Sequence, residues 1–161
     1  MDDALNTWET EVINLFKGTG AYDSNDLTDN VSAANMHVKL REDIRTYYGA
    51  QVPAIGVMSF NVTEVSDNRD EIQMLAQVVH TGADLPTLDN TVKIIIWKMW
   101  KLLKAQRATG NNECLNGNAE DIENMSADII HGGIPETDSD DFSALFALGE
   151  LRFTIISKGE E

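Results

Sequence analysis

Cysteine, basic residues and long apolar runs are all scarce in this chain, and each scarcity excludes a class of protein. The single cysteine, Cys114, excludes an internal disulfide and a zinc site built from a cysteine cluster. The longest apolar run, residues 94–97, is far shorter than the roughly 20 residues of a membrane-spanning helix. The first residues lack the basic and apolar segments of a secretory signal, so we expect no membrane insertion and assembly in the cytoplasm.

The shortage of basic residues makes the chain strongly acidic. It has 12 Lys and Arg against 27 Asp and Glu, a formal net charge of −15, so its average surface repels nucleic acid and anionic membranes. Such acidity suits a solvated surface, a surface that DNA passes without being held, or one that binds a basic partner. The hydrophobic fraction of 42% is ordinary for a globule, and we expect residues 1–161 to form a single domain.

Residue types that often carry catalysis or bind metals are present, but they form no recognisable motif. The histidines at positions 37, 80 and 131 lie in three different predicted elements and belong to no HxxxH or HExxH pattern. No GxSxG nucleophile turn is present, and Cys114 would need a lowered pKa to act as a nucleophile. The acidic segment that starts at Asp23 lacks the glycine and the final glutamate of a calcium loop. We therefore expect no catalytic site, no metal and no cofactor.

Three segments have the apolar spacing of an amphipathic helix. Residues 5–16 form the first, and residues 32–48 form the second, with Ser32 as a candidate cap and Gly49 at its end. The third and most regular segment is Leu85–Arg107, in which one broad apolar stripe continues along the whole length.

The remaining apolar segments have the alternation of β-strands. Residues 54–65, with a bulge expected near Ser59, and residues 71–81 predict an antiparallel hairpin. A second pair is predicted at residues 119–130 and 145–157. The order is then α-α-β-β-α-β-β, which predicts an α+β fold with an antiparallel sheet of about four strands packed with helices.

The helix Leu85–Arg107 also has a second, smaller apolar patch. At 100° per residue, Ile94 and Trp97 point nearly opposite to the main stripe. Three lysines stand near them: Lys93, Lys101 and Lys104. Exposure of these apolar side chains is costly unless something covers them. The cover is helix 5–16 or the loop near Asp141 in the same chain, or a second subunit with an acidic surface; nucleic-acid binding is a third alternative.

The order of these elements resembles that of the tail-terminator and neck proteins of tailed bacteriophages. The likeness covers about residues 31–158, as pattern and order more than as a motif, and residues 1–30 add a helix and an acidic loop to it. The features that carry it are the helix before a Pro-Ala-Ile-Gly-Val strand at 53–57, the strand at 70–79, the helix at 85–107 and the closing strand at 149–156.

The resemblance implies a virion structural protein that forms a homo-oligomeric ring, commonly hexameric, with no active site and no cofactor. Such a ring caps the tail tube, stops its growth and joins it to the head connector or stopper, while DNA passes through an acidic lumen. Two loops are then candidates for contacts with neighbouring rings, through Asp67, Asn68, Arg69, Asp138, Asp140 and Asp141. The charge alone suggests an alternative function, an acidic DNA mimic or inhibitor that binds a basic host protein.

Overall fold

The computed structural model describes residues 4–40, 47, 49–66, 69–107, 114–117, 119–135 and 142–157. Its helices are α1 (Ala4–Lys17) and α2 (Leu85–Arg107), and its strands are β1 (Met36–His37), β2 (Ala54–Ser66), β3 (Arg69–Gly82), β4 (Ala119–Pro135) and β5 (Phe142–Ser157). The strands form one sheet in the order β1-β2-β3-β5-β4. β1 runs parallel to β2, and the other neighbouring pairs are antiparallel.

The predicted α+β class is confirmed, but the predicted sheet is wrong in two details. The described sheet has five strands instead of about four, and it is mixed instead of antiparallel. Both differences come from β1, in which Met36 lies opposite Ile55 and His37 lies opposite Gly56. A parallel partner of two residues leaves no alternation that a sequence pattern could reveal.

The helix predicted over residues 32–48 is wrong where the structure describes it. Ser32 makes no side-chain capping hydrogen bond, and Ala33–Asn35 form a single 3₁₀ turn before the chain enters β1. Met36 is buried in the core and its backbone pairs with β2, so a long-range contact outweighs the local apolar spacing. Most of the remaining predicted helix, residues 41–46, lies outside the described residues.

The predicted hairpin of β2 and β3 is confirmed, and so is its bulge. The register shifts between Ser59 and Asn61, where an extra residue leaves backbone groups outside the ladder. Glu9 of α1, only 2% exposed, places its Oε1 2.8 Å from the Ser59 amide and 2.9 Å from the Ser59 hydroxyl, both of which donate to it. These two hydrogen bonds tie α1 to the bulge.

Both helices pack on the same face of the sheet. α1 lies against β1 and β2, and α2 lies against β3, β4 and β5. Trp8, Val12 and Phe16 of α1 share one buried core with Met74 and Phe153 of the sheet. The first 30 residues, which the sequence sets apart as an extension, thus supply part of the main core.

The opposite face of the sheet carries most of its polar residues. Arg152 lies there, 3.9 Å from an Asp128 oxygen and 3.6 Å from a Glu150 oxygen. Near one end of this face, Tyr47 packs with Val79 in a small apolar cluster. Only a part of the described second face is therefore covered.

Close packing at Gly149 of β5 fixes how α2 sits on the sheet. A Cβ at this position would lie 2.7 Å from Ile96 Cγ1 and 2.9 Å from Val78 Cγ1, so there is no room for a side chain. Since Ile96 points into the sheet, the helical rotation of 100° per residue turns Trp97 and Ile94 away from it. The glycine thus determines which side of α2 faces outward.

Replacement of Gly149 by alanine should lower the free energy of unfolding by about 1–3 kcal/mol, because the new methyl group overpacks the contact with Ile96. Urea unfolding followed by circular dichroism measures the loss. Gly82→Ala is the matched control, since its Cβ would meet a flexible Leu88 methyl at 3.2 Å and should cost less. Equal losses for the two variants would contradict the proposed role of Gly149.

Candidate interaction surface

The structure leaves Ile94 and Trp97 in solvent, with 39% and 59% of their surface exposed. They lie on one face of α2 with three exposed lysines, and together these residues form the basic ridge: Lys93, Ile94, Trp97, Lys101 and Lys104. α1 packs mainly on β1 and β2 and contacts α2 only slightly, and it leaves these two apolar side chains exposed. The loop near Asp141, the other intramolecular candidate, lies outside the described residues.

An apolar groove runs beside the ridge, between α2 and the edge strand β4. We call it the α2–β4 groove; it has a volume of about 360 Å³ and is lined by Lys93, Ile96, Trp97, Trp100, Ala127 and Ile129. Ala127 lies opposite Leu151 and Ile129 lies opposite Gly149, so both point to the face of the sheet that carries the helices. The groove is thus an unfilled continuation of the core at the open side of the sheet.

Lys93, the first residue of the basic ridge, lies beside the groove and forms an ion pair with Asp89. Lys93 Nζ lies 2.7 Å from Asp89 Oδ2, and His131 Nε2 lies 2.7 Å from Asp89 Oδ1. The hydrogen bond from Lys93, and then that from His131, lower the pKa of Asp89. A carboxylate therefore stays ionised between a lysine and a histidine, and it holds Lys93 beside the groove.

The lysines of α2 differ in their partners. Lys98 points to the segment before β1, where its Nζ donates to the Asp26 carbonyl at 3.0 Å and also contacts Asn30. Lys101 and Lys104 make no ion pair with any residue that the structure describes. The ridge therefore offers two positive charges that the described part of the chain leaves uncompensated.

The predicted ring-contact loops are only partly described. Arg69 begins β3 and forms an ion pair with Glu120 of β4. The other residues predicted for this role lie outside the described residues: Asp67, Asn68, Asp138, Asp140 and Asp141. Their contacts with neighbouring rings stay a prediction.

A second exposed apolar group, which the sequence pattern did not reveal, lies on the outer half of β2. Phe60, Val62 and Val65 are 53%, 44% and 51% exposed. Their alternation predicted a strand correctly, but it carried no information about which strand would lie at an edge. β1 pairs only with Ile55 and Gly56, so the rest of the same edge of β2 has no strand partner among the described residues.

The three histidines lie on separate strands and do not form a metal centre. His80 and His131 flank Ala147 from opposite sides, two strand spacings or about 10 Å apart. Burial lowers the pKa of His80. Among the described residues, no group of three or more His, Cys, Asp or Glu is arranged to hold a metal ion.

Cys114 is a core residue, 4% exposed, rather than a surface nucleophile. Burial, with a smaller contribution from Asp121, raises its pKa to about 11, so the thiol is neutral at physiological pH. None of the helices in the described ranges combines the length and apolarity required to span a bilayer. The chain matches no protein-family model and no curated protein.

The folded protein should react slowly with a thiol reagent at pH 8 and rapidly after unfolding in urea, as measured by release of the thionitrobenzoate ion. Because the pKa of Cys114 is raised in the folded state, its contribution to stability is present below the ordinary pKa of 9.0 and is lost as pH rises towards about 11. Cys114→Ala should reduce the decline in stability over this pH range. Rapid modification of the folded protein at pH 8 would show that Cys114 is accessible.

Proposed function

We propose that this chain is a structural subunit of a ring at the neck or tail end of a tailed bacteriophage. The ring would end the tail tube and join it to the head connector or stopper. The observation that carries the proposal is the exposure of Trp97 and Ile94 on the basic ridge. A large aromatic side chain among lysines is typical of a residue that becomes buried when proteins associate.

The charge distribution supports association between identical copies. The chain carries a net charge of −15, yet five of its 12 basic residues lie on α2, at positions 93, 98, 101, 104 and 107. A basic surface on an acidic protein complements the acidic surface of another copy, and it does so head to tail. Head-to-tail contacts close into a ring when the rotation between copies allows it.

The order of elements supports the phage assignment. The hairpin of β2 and β3, the helix α2 and the closing strand β5 follow the order on which the resemblance rests, but a 3₁₀ turn and β1 stand where it has a helix before β2. An acidic lumen would let DNA pass, because tight binding to phosphate requires cations. This role requires neither a catalytic group nor a cofactor.

The second candidate, an acidic DNA mimic or inhibitor, rests on the net charge of −15 alone. Such a protein would bind a basic host protein with an affinity that falls as salt rises. The basic ridge would have no part in that binding, and this difference separates the two proposals.

Truncation of Trp97 to serine should weaken self-association and binding to tail tubes by roughly 30-fold, as expected for a buried tryptophan at an interface. Sedimentation velocity measures the association, and negative-stain imaging of the protein with purified tail tubes shows whether tube ends are capped. Val38→Ser is the matched control, since Val38 is also an exposed apolar residue (38%) but lies just after β1, outside α2 and β4.

Two results would argue against the proposed function. One is a protein that stays monomeric and leaves tube ends and connectors bare. The other is a Trp97→Ser variant that assembles and caps tubes as well as the unchanged protein does. Binding of a basic host protein by both the unchanged protein and the Trp97→Ser variant, with no binding of either to tubes, would favour the DNA-mimic alternative.

A further inference from the structure

Among the residues that the structure describes, the sheet has an unpaired edge on each side. β4 pairs with β5 along one edge, and no described strand pairs with its other edge. At the other side of the sheet, β1 covers only the start of β2 and Glu9 of α1 binds the Ser59 amide, but the edge from Asn61 to Ser66 has no described strand partner. Long unpaired edges are templates for pairing with another chain, so proteins usually protect them or use them.

The two open edges present matching side chains on the same face of the sheet. In β2, Val62 lies opposite the buried Ile72, so Val62 and Glu64, two residues along, point to the face that carries the helices. In β4, Ala127 and Ile129 point to that face as well, below the α2–β4 groove. If the two edges met, the helix-covered faces would be continuous.

We propose that the open edge of β2 in one copy pairs with the open edge of β4 in the next copy. Val62 then fills the α2–β4 groove, and the exposed acids Glu64 and Asp70 lie near Lys93 and Lys101 of the basic ridge. This inference deepens the proposed function and rests on it. It names the surface through which each subunit of the ring contacts its neighbour.

Charge favours contact between unlike edges. Pairing of two β2 edges would bring Glu64 and Asp70 of both copies together, and like charges across a strand pair are destabilising. The acidic Asp128 of β4 does not oppose the contact, because it lies on the other face of the sheet with Arg152. The head-to-tail contact therefore matches apolar with apolar and acid with base.

The contact is tested with two full-length variants that also carry Cys114→Ala. One has Val62→Cys and the other has Ala127→Cys, and the two chains differ in mass by a short tag. Treatment of the mixture with a bifunctional maleimide should give a crosslinked pair of unlike chains at roughly ten times the yield of either variant alone, since the contact is heterologous. Ser32→Cys, which places the thiol at an exposed residue outside both edges, replaces either variant as the control.

A charge exchange gives an independent measurement. Lys101→Glu should weaken self-association roughly fivefold, because attraction becomes repulsion. Adding Glu64→Lys to the same chain should restore it, since both sides of the contact are then reversed. Circular dichroism checks that each variant is folded, and without restoration the proposed pairing is wrong.

The outcomes separate this inference from the proposed function. Rings that cap tail tubes but give no Val62–Ala127 crosslink would refute the edge contact and leave the neck role standing. A specific crosslink in a protein that never binds tubes or connectors would support the contact and refute the neck role. A protein that stays monomeric, alone and with tubes, would refute both.

Discussion

The contact of Ile96 with Gly149 is the constraint on which the outer surface of this protein depends. β5 pairs with β3 on one side and with β4 on the other, so Gly149 is held at a fixed position in the sheet. With Ile96 seated on it, α2 can bury one stripe only, and Trp97 and Ile94 must face outward. The basic ridge is thus a consequence of core packing. A rotation of α2 that buried Trp97 would remove Ile96 from the core and lose its packing against β5.

How much of the fold could be predicted depended on the range of the interaction responsible. The bounds of α2, the hairpin and the bulge at Ser59 follow from local apolar periods, and the structure confirms them. The short strand β1 could not be predicted in this way. Met36 pairs with Ile55 in a parallel contact that leaves no pattern in the local sequence. The spacing that suggested a helix after Ser32 was real, but backbone pairing with β2 outweighed it.

The candidate surface likewise has one part that the sequence predicts and other parts that it does not. The outward direction of Trp97 could be predicted because one helix and its rotation per residue suffice to place it. The groove beside it could not, since Ala127 reaches α2 only through the strand order β3-β5-β4. The open edge of β2 was equally hidden, because it depends on how short β1 is. Edges and grooves are properties of the topology, and single-sequence periodicity carries no information about them.

The electrostatics of assembly act at two distances. Copies that each carry a net charge of −15 repel one another. Salt at physiological ionic strength weakens this repulsion between charges that are more than about 8 Å apart. Attraction between Lys101 of one copy and Glu64 of the next would act at contact, where screening is weaker. In the proposed ring, repulsion would therefore oppose nonspecific association, while contacts between opposite charges would favour one orientation. A protein that only imitates DNA would gain no affinity for a basic partner from lysines clustered around an exposed tryptophan. This is the physical reason to prefer assembly.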